Sequence, residues 1–199
     1  FPFTIMGHQG IFYNPSDPSL PRLHVSEPDT AAMFTFTPEW KMPYCVVDIG
    51  ANVGAFTYLA SMFATDVRAY EPCSSTFQRL QSNIKKHTVD ESTTFQFHQL
   101  AAGSTSGETV YMNASESQRS GDSFSTKEKP EGETEQVKTI CLEDIIADTP
   151  MKRIDYLKVD CEGAEYDFLM DKDLSSVGIL EVELHGDDEG LKAVSYTHL

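Results

Sequence analysis

The sequence predicts an open α/β fold, a mostly parallel sheet with helices on both faces. Three observations carry this. From Tyr44 onward, short apolar runs alternate with stretches of helical period, the pattern of βαβ units. The first run, Val46-Val47-Asp48-Ile49, passes straight into a small-residue turn, Gly50-Ala51-Asn52-Val53-Gly54, and then into a helix. The second run, Val67-Arg68-Ala69-Tyr70, ends in Glu71-Pro72. Glu71 follows the turn by ~20 residues, the spacing at which doubly wound folds present a carboxylate to a ribose.

Residues 1–43 hold several prolines and scattered aromatics without a sustained period, and read as an irregular lead-in with one short strand at Met33–Phe36. A strand over Tyr44–Asp48 opens the domain, which spans 44–192. A helix over Ala55–Phe63 follows, with Phe56, Leu59, Ala60 and Phe63 on one face. The next strand is Val67–Glu71. Pro72 stops it, and Ser74 or Ser75 caps a helix over Thr76–Lys86 whose inner stripe is Phe77, Leu80, Gln81 and Ile84. A third strand covers Thr94–Leu100. Gly103–Gly107 is a turn and Thr109–Met112 a returning strand, which together predict a hairpin.

Residues 113–134 are rich in Ser, Glu, Gly and Lys, and read as a mobile loop or lid. Strands at Gln136–Cys141, Ile154–Asp160 and Ile179–Leu184 alternate with helices at Leu142–Ile146 and Ala164–Met170. Residues 193–199 begin no recognisable element and read as a non-native tail, in the manner of translated adapter sequence.

Composition narrows the function. A chain of 199 residues suits one domain with a sizeable core. Asp and Glu number 31 against 15 Lys and Arg, a formal net charge of −16. Such a surface repels phosphate backbones, so nucleic acid is not an expected partner. The densest basic run, Lys85-Lys86-His87, ends a predicted helix, where cations favour the macrodipole. No apolar run approaches the ~20 residues of a membrane span. Cys45, Cys73, Cys141 and Cys161 show neither close pairing nor metal-ligand spacing, which predicts free thiols and a reducing, cytoplasmic location. The chain begins at Phe1 without a methionine and reads as a fragment or a processed form.

The turn and Glu71 point to an adenosine-containing cofactor. Dinucleotide folds prefer G-x-G-x-x-G facing a pyrophosphate. Here Asn52 replaces the second glycine, Gly54 is wrongly spaced, and Asp48 would set negative charge beside the phosphates. S-adenosylmethionine has an ammonium, a sulfonium and no phosphate. The D-x-G-x-N-x-G pattern therefore favours it over NAD.

Val46–Thr57, Ala69-Tyr70-Glu71-Pro72 and Leu157-Lys158-Val159-Asp160-Cys161-Glu162-Gly163-Ala164-Glu165 together resemble the FkbM-type methyltransferases. The last block matches that family's K-[IV]-D-x-E-G-A-E signature. Thr139-Ile140-Cys141-Leu142-Glu143-Asp144 resembles its T-x-x-L-D-D segment, with Glu143 for the first Asp, and Leu180–His185 resembles its closing strand. The resemblance covers residues 44–186. It implies a class I methyltransferase (Rossmann-like) fold and methyl transfer from S-adenosylmethionine, usually to a hydroxyl on a sugar, glycan or other small metabolite. It also implies two further strands after Leu184, for which the chain has almost no room, so the C-terminal strands are expected to be truncated. By position, Asp48, Gly50, Ala51, Asn52 and Gly54 line the methionine end. Glu71, followed by Pro72, takes the ribose hydroxyls. The adenine falls at Gln99-Leu100-Ala101, where Gln99 replaces the Asp or Asn of many methyltransferases.

Central parallel strands should be nearly unbroken apolar runs, yet Lys158 and Asp160 share a face of one and Glu181, Glu183 and His185 a face of its neighbour. A buried Lys158 requires a carboxylate, expected from Glu181 or Glu183. Asp160 and His185 fall at strand carboxyl ends, where open α/β sheets bind ligands. His185 has the intrinsic pKa range of a base, and Asp160 or Glu162 orients the acceptor or serves in its place. Glu165 stands at a helix start, where a carboxylate is favoured on structural grounds alone. The spacing of Asp160, Glu162 and His185 is not diagnostic of a metal, and no metal site is assigned. The rival readings are an NAD-dependent oxidoreductase and a non-catalytic, truncated cofactor-binding fragment.

Overall fold

The computed structural model describes residues 45–62, 64–87, 92–113, 125–126 and 134–183. In chain order these form β1 (Cys45–Ile49), α1 (Ala55–Ala60), β2 (Asp66–Tyr70), α2 (Ser74–His87), β3 (Thr94–His98) and β4 (Ala101–Ala102). Next come β5 (Thr109–Asn113), β6 (Ser125–Thr126), β7 (Thr134–Ile140), α3 (Leu142–Asp148), β8 (Ile154–Val159), α4 (Glu165–Leu169) and β9 (Val177–Val182).

Five strands make a wholly parallel sheet in the order β3-β2-β1-β8-β9. The order reverses at β1, because the chain leaves it toward β2 and later returns to its other side with β8. That is a topological switch point, where the carboxyl ends of two strands diverge into loops that leave a crevice. The sequence motifs fall on these strands, so Asp48, Glu71 and Asp160 arrive at or just beyond the same edge.

Both faces are covered. Val47, Ile49, Leu157 and Val159 pack under Leu142 and Ile145 of α3 and Phe168 and Leu169 of α4. On the opposite face Ala69, Leu80 and Ile84 are joined by Tyr58, Phe77, Phe95 and Phe97. Phe56 of α1 sets its ring 5.7 Å from that of Tyr156 in β8. Strand alternation sorts the residues. In β8, Leu157 and Val159 face the apolar layer, while Tyr156 and Lys158 face α1.

The expected hairpin is not formed. β5 pairs antiparallel with β7, not with the strand before it, and β4 is a two-residue strand parallel to β7. These strands and β6 make a second sheet in the order β4-β7-β5-β6. Period-two alternation identifies a strand but names no partner, and here the partner lies across a long connection. Ser125 and Thr126, inside the stretch read as a loop, pair with β5. The other residues of 114–133, the lead-in strand at 33–36 and the tail at 193–199 lie outside the described residues. α2 begins earlier than predicted, at Ser74, and Gln81 is exposed, leaving Leu80 and Ile84 as the buried stripe.

Candidate active site

The turn after β1 is built from inside the protein. Gly50 has φ +73°, and a Cβ there would lie 1.7 Å from the Asp160 carbonyl oxygen. At Gly54, φ +93°, it would lie 2.6 Å from Leu80 Cδ1. Both glycines therefore make room for protein, with Gly50 admitting the backbone that follows β8. Asp160 N–H donates to the Ile49 carbonyl at 3.0 Å, closing the same contact. Gly50 and Ala51 both donate to the Tyr70 carbonyl at 3.0 Å, which seats the turn over the end of β2. Asn52 sits at φ 51°, a left-handed conformation that Asn tolerates better than most residues.

Glu71 lies just past β2 and is 7% exposed. Its Oε2 accepts the Asn52 N–H and its Oε1 the Cys73 N–H, each at 3.0 Å. A carboxylate has about four acceptor positions, so two remain. Burial pushes the Glu71 carboxyl up to about 7, against the pull of those two N–H groups, and nearby Asp48 adds to the rise.

Behind the turn is a buried charge cluster. Asp48 is wholly enclosed, and its Oδ2 accepts the Thr57 hydroxyl at 2.6 Å. Its Oδ1 lies 3.5 Å from Lys158 Nζ, an ion-pair distance without hydrogen-bond geometry, and has no hydrogen-bond partner. Lys158 Nζ is also 3.2 Å from Asp160 Oδ2 and donates to the Gly50 carbonyl at 3.5 Å. The Phe56 ring lies beneath it, 5.9 Å away. Burial raises the Asp48 carboxyl. Burial also opposes the charge on Lys158, but Asp48 and Asp160 outweigh it and hold the ammonium protonated.

The expectation that Lys158 meets Glu181 or Glu183 is thus corrected. Glu181 stands opposite Lys158 in register, but it accepts the hydroxyl of Tyr156, while Asp48 and Asp160 take the ammonium. The signal for this pairing was alternation on adjacent strands, since Asp48 and Lys158 are register partners on the α1 face.

After β8 the chain turns sharply. Glu162 has φ 55° and Gly163 φ 102°. Glu165 is fully buried, accepting the Cys161 N–H at 2.9 Å and the Gly163 N–H at 2.9 and 3.2 Å. The last Glu of the block therefore holds the loop. Glu162, in a conformation that disfavours an ordinary side chain, lies on that loop beside the partly exposed Asp160.

At the end of β3, Gln99 Nε2 donates to Ser74 Oγ at 2.8 Å and to Glu135 Oε1 at 2.7 Å. Leu100 packs on the apolar core and Ala101 is buried in β4. Glu135, at the start of β7, also accepts the Ser74 N–H at 3.0 Å and the Ser74 hydroxyl. Sequence reasoning missed Glu135 because it lies at the edge of the low-complexity stretch.

A family model described as the methyltransferase FkbM domain matches residues 48–198. The chain belongs to the FkbM methyltransferase family. Methyltransferases of this family use S-adenosylmethionine. "Methyltransferase 1" of Beauveria bassiana (strain ARSEF 2860) is 32% identical over 143 residues, which is 62% of this chain and 56% of that protein. The chain thus spans about half the length of the curated relative it matches. A solved structure of a methyltransferase FkbM from Methylobacillus flagellatus KT shares 20% identity and covers 63% of this chain and 28% of the other, with a TM-score of 0.41.

The FkbM site residues present fit a cationic methyl donor. Lys158 Nζ lies between the carboxyl groups of Asp48 and Asp160, and Asp48 Oδ1 is a buried acceptor with no hydrogen bond. Of the residues expected from sequence, Asp48 lies near the end of β1, and Gly50, Ala51, Asn52, Gly54, Glu71, Pro72, Asp160 and Glu162 lie on the three loops that leave β1, β2 and β8. Gln99 joins the second of these through Ser74. His185 lies outside the described residues. Among the described residues no cluster of His, Cys, Asp and Glu is placed to hold a metal, no helix is long and apolar enough to cross a membrane, and all four cysteines are free.

Proposed function

We propose that the chain transfers the methyl group of S-adenosylmethionine to a hydroxyl oxygen of a small acceptor, a sugar, glycan or similar metabolite. The observation carrying this reading is the convergence of three carboxylates, Asp48, Glu71 and Asp160, at the switch point, with Lys158 set between two of them. Glu71 takes the ribose hydroxyls on its two remaining acceptor positions. Two carboxyl groups behind the turn, at Asp48 and Asp160, suit a sulfonium better than a phosphate. When bound, S-adenosylmethionine supplies a methyl group already activated on sulfur.

The protein's task is alignment and proton removal. Asp160 accepts the hydroxyl proton as the acceptor oxygen bonds to the methyl carbon and the sulfur–carbon bond breaks. The products are a methyl ether, the neutral thioether and protonated Asp160, which returns its proton to water. Glu162 orients the acceptor. His185 is the second candidate for the proton acceptor.

Incubation with methyl-labelled donor and a panel of hydroxylated acceptors tests the reading. Label should enter an ether, and Asp160→Asn should lower kcat, measured at saturating donor, by about 100-fold or more. An unchanged rate in Asp160→Asn, with loss in His185→Gln, would assign the base to His185. Transfer to nitrogen or carbon acceptors alone would overturn the hydroxyl assignment.

A further inference from the structure

We propose that Glu135, which lies outside the parallel sheet, is a positioning residue for the ribose-binding carboxylate Glu71. The inference deepens the methyl-donor reading and rests on it for Glu71's role. Its geometry stands on its own.

The turn between β2 and α2 presents two consecutive N–H groups, Cys73 and Ser74, to two carboxylates. Glu71 takes the first at 3.0 Å and Glu135 the second at 3.0 Å. Glu135 also takes the Ser74 hydroxyl and the Gln99 amide at 2.7 Å, while Gln99 reaches the Pro72 carbonyl at 3.4 Å. Every residue from Glu71 to Ser74 is thus tied through a group that touches Glu135 or Glu71.

The helix needs this charge. α2 has no acidic residue in its first turn, though it carries Lys85, Lys86 and His87 in its last. The counter-charge for the exposed N–H groups at its start comes from β7, a strand of the second sheet. Glu71 in turn holds Asn52 of the cofactor turn at 3.0 Å. A path therefore runs from β7 by hydrogen bond to Ser74, through the Cys73–Ser74 peptide bond, and by hydrogen bonds between Cys73 and Glu71 and between Glu71 and Asn52. Shifting its outer end moves the carboxylate that receives the ribose.

A local helix cap would stabilise α2 and leave Glu71 alone, and two measurements separate the roles. Calorimetry with S-adenosylhomocysteine should show about tenfold weaker binding in Glu135→Gln, the loss expected when a charge-assisted hydrogen bond is removed. In a Glu71→Gln background the same substitution should have little further effect, because the two act as a unit. Amide exchange on the ligand-free protein should be faster in Glu135→Gln at Cys73 and Asn52 as well as at Ser74. Faster exchange confined to Ser74–Phe77, with Asn52 and Cys73 unchanged, would overturn the proposal and leave Glu135 a helix cap. Failure of the wild-type protein to bind the thioether would instead count against the methyl-donor reading, with the exchange result still deciding this one.

Discussion

At the scale of single residues, Gly50 and Glu71 show how one motif serves two ends. Gly50 was read as a place for a cofactor to approach, and its missing Cβ is taken up by the Asp160 carbonyl. Its first duty is therefore structural. Gly50→Ala should cost about 2–5 kcal/mol, from the left-handed backbone and the overlap together, visible as a lower urea midpoint. For Glu71 the sign is set by burial. Its carboxyl is raised to about 7 in the folded chain from 4.5. The folded state holds that proton more tightly, so Glu71's contribution to stability is fully present below pH 4.5 and is lost as pH rises through 7. The ligand-free protein should lose melting temperature from pH 5 to pH 8, and Glu71→Gln should flatten that loss. Donor affinity should move the other way. If the ionised form receives the ribose, binding should be about tenfold tighter at pH 8 than at pH 6, and Glu71→Gln should abolish that dependence.

At the scale of elements, α4 and the loop before it explain the family signature. The block from Lys158 to Glu165 reads as chemistry in the sequence, but its members divide. Lys158 and Asp160 form the charge cluster, and Glu165 binds loop N–H groups. Glu165→Ala would leave those donors without a carboxylate and should cost about 2–4 kcal/mol, measured by denaturant unfolding. The βαβ elements were legible because each buries one periodic face, and β1, β2, β3, β8 and β9 appear within a few residues of expectation. The antiparallel pair was not. Nothing in Thr109–Asn113 states that its partner begins at Thr134, and this pairing brings Glu135 to the Ser74 turn. The partner of Lys158 was misread for a related reason. Sequence spacing shows which residues share a face, whereas strand order shows which carboxylates come near.

At the scale of the whole molecule, strand order joins the motifs. β1 lies between β2 and β8, so Asp48, Glu71 and Asp160, far apart in sequence, meet at one edge. A net charge of −16 for the chain as a whole disfavours polyanions as partners. No retardation of DNA or RNA is expected in gel-shift assays at about 0.15 M salt. The charge was legible from composition, and the preference for a sulfonium over a pyrophosphate from Asp48, Asn52 and the spacing of Gly54 in the turn. The acceptor was not, because no residue pattern in the chain encodes its shape. The most direct measurement is calorimetric titration of S-adenosylmethionine into the wild-type protein and Glu71→Ala. Saturable binding that weakens by about tenfold or more in the variant is predicted, from the loss of two charge-assisted hydrogen bonds. Equal affinity in both proteins, or tighter binding of NAD than of S-adenosylmethionine, would contradict the account.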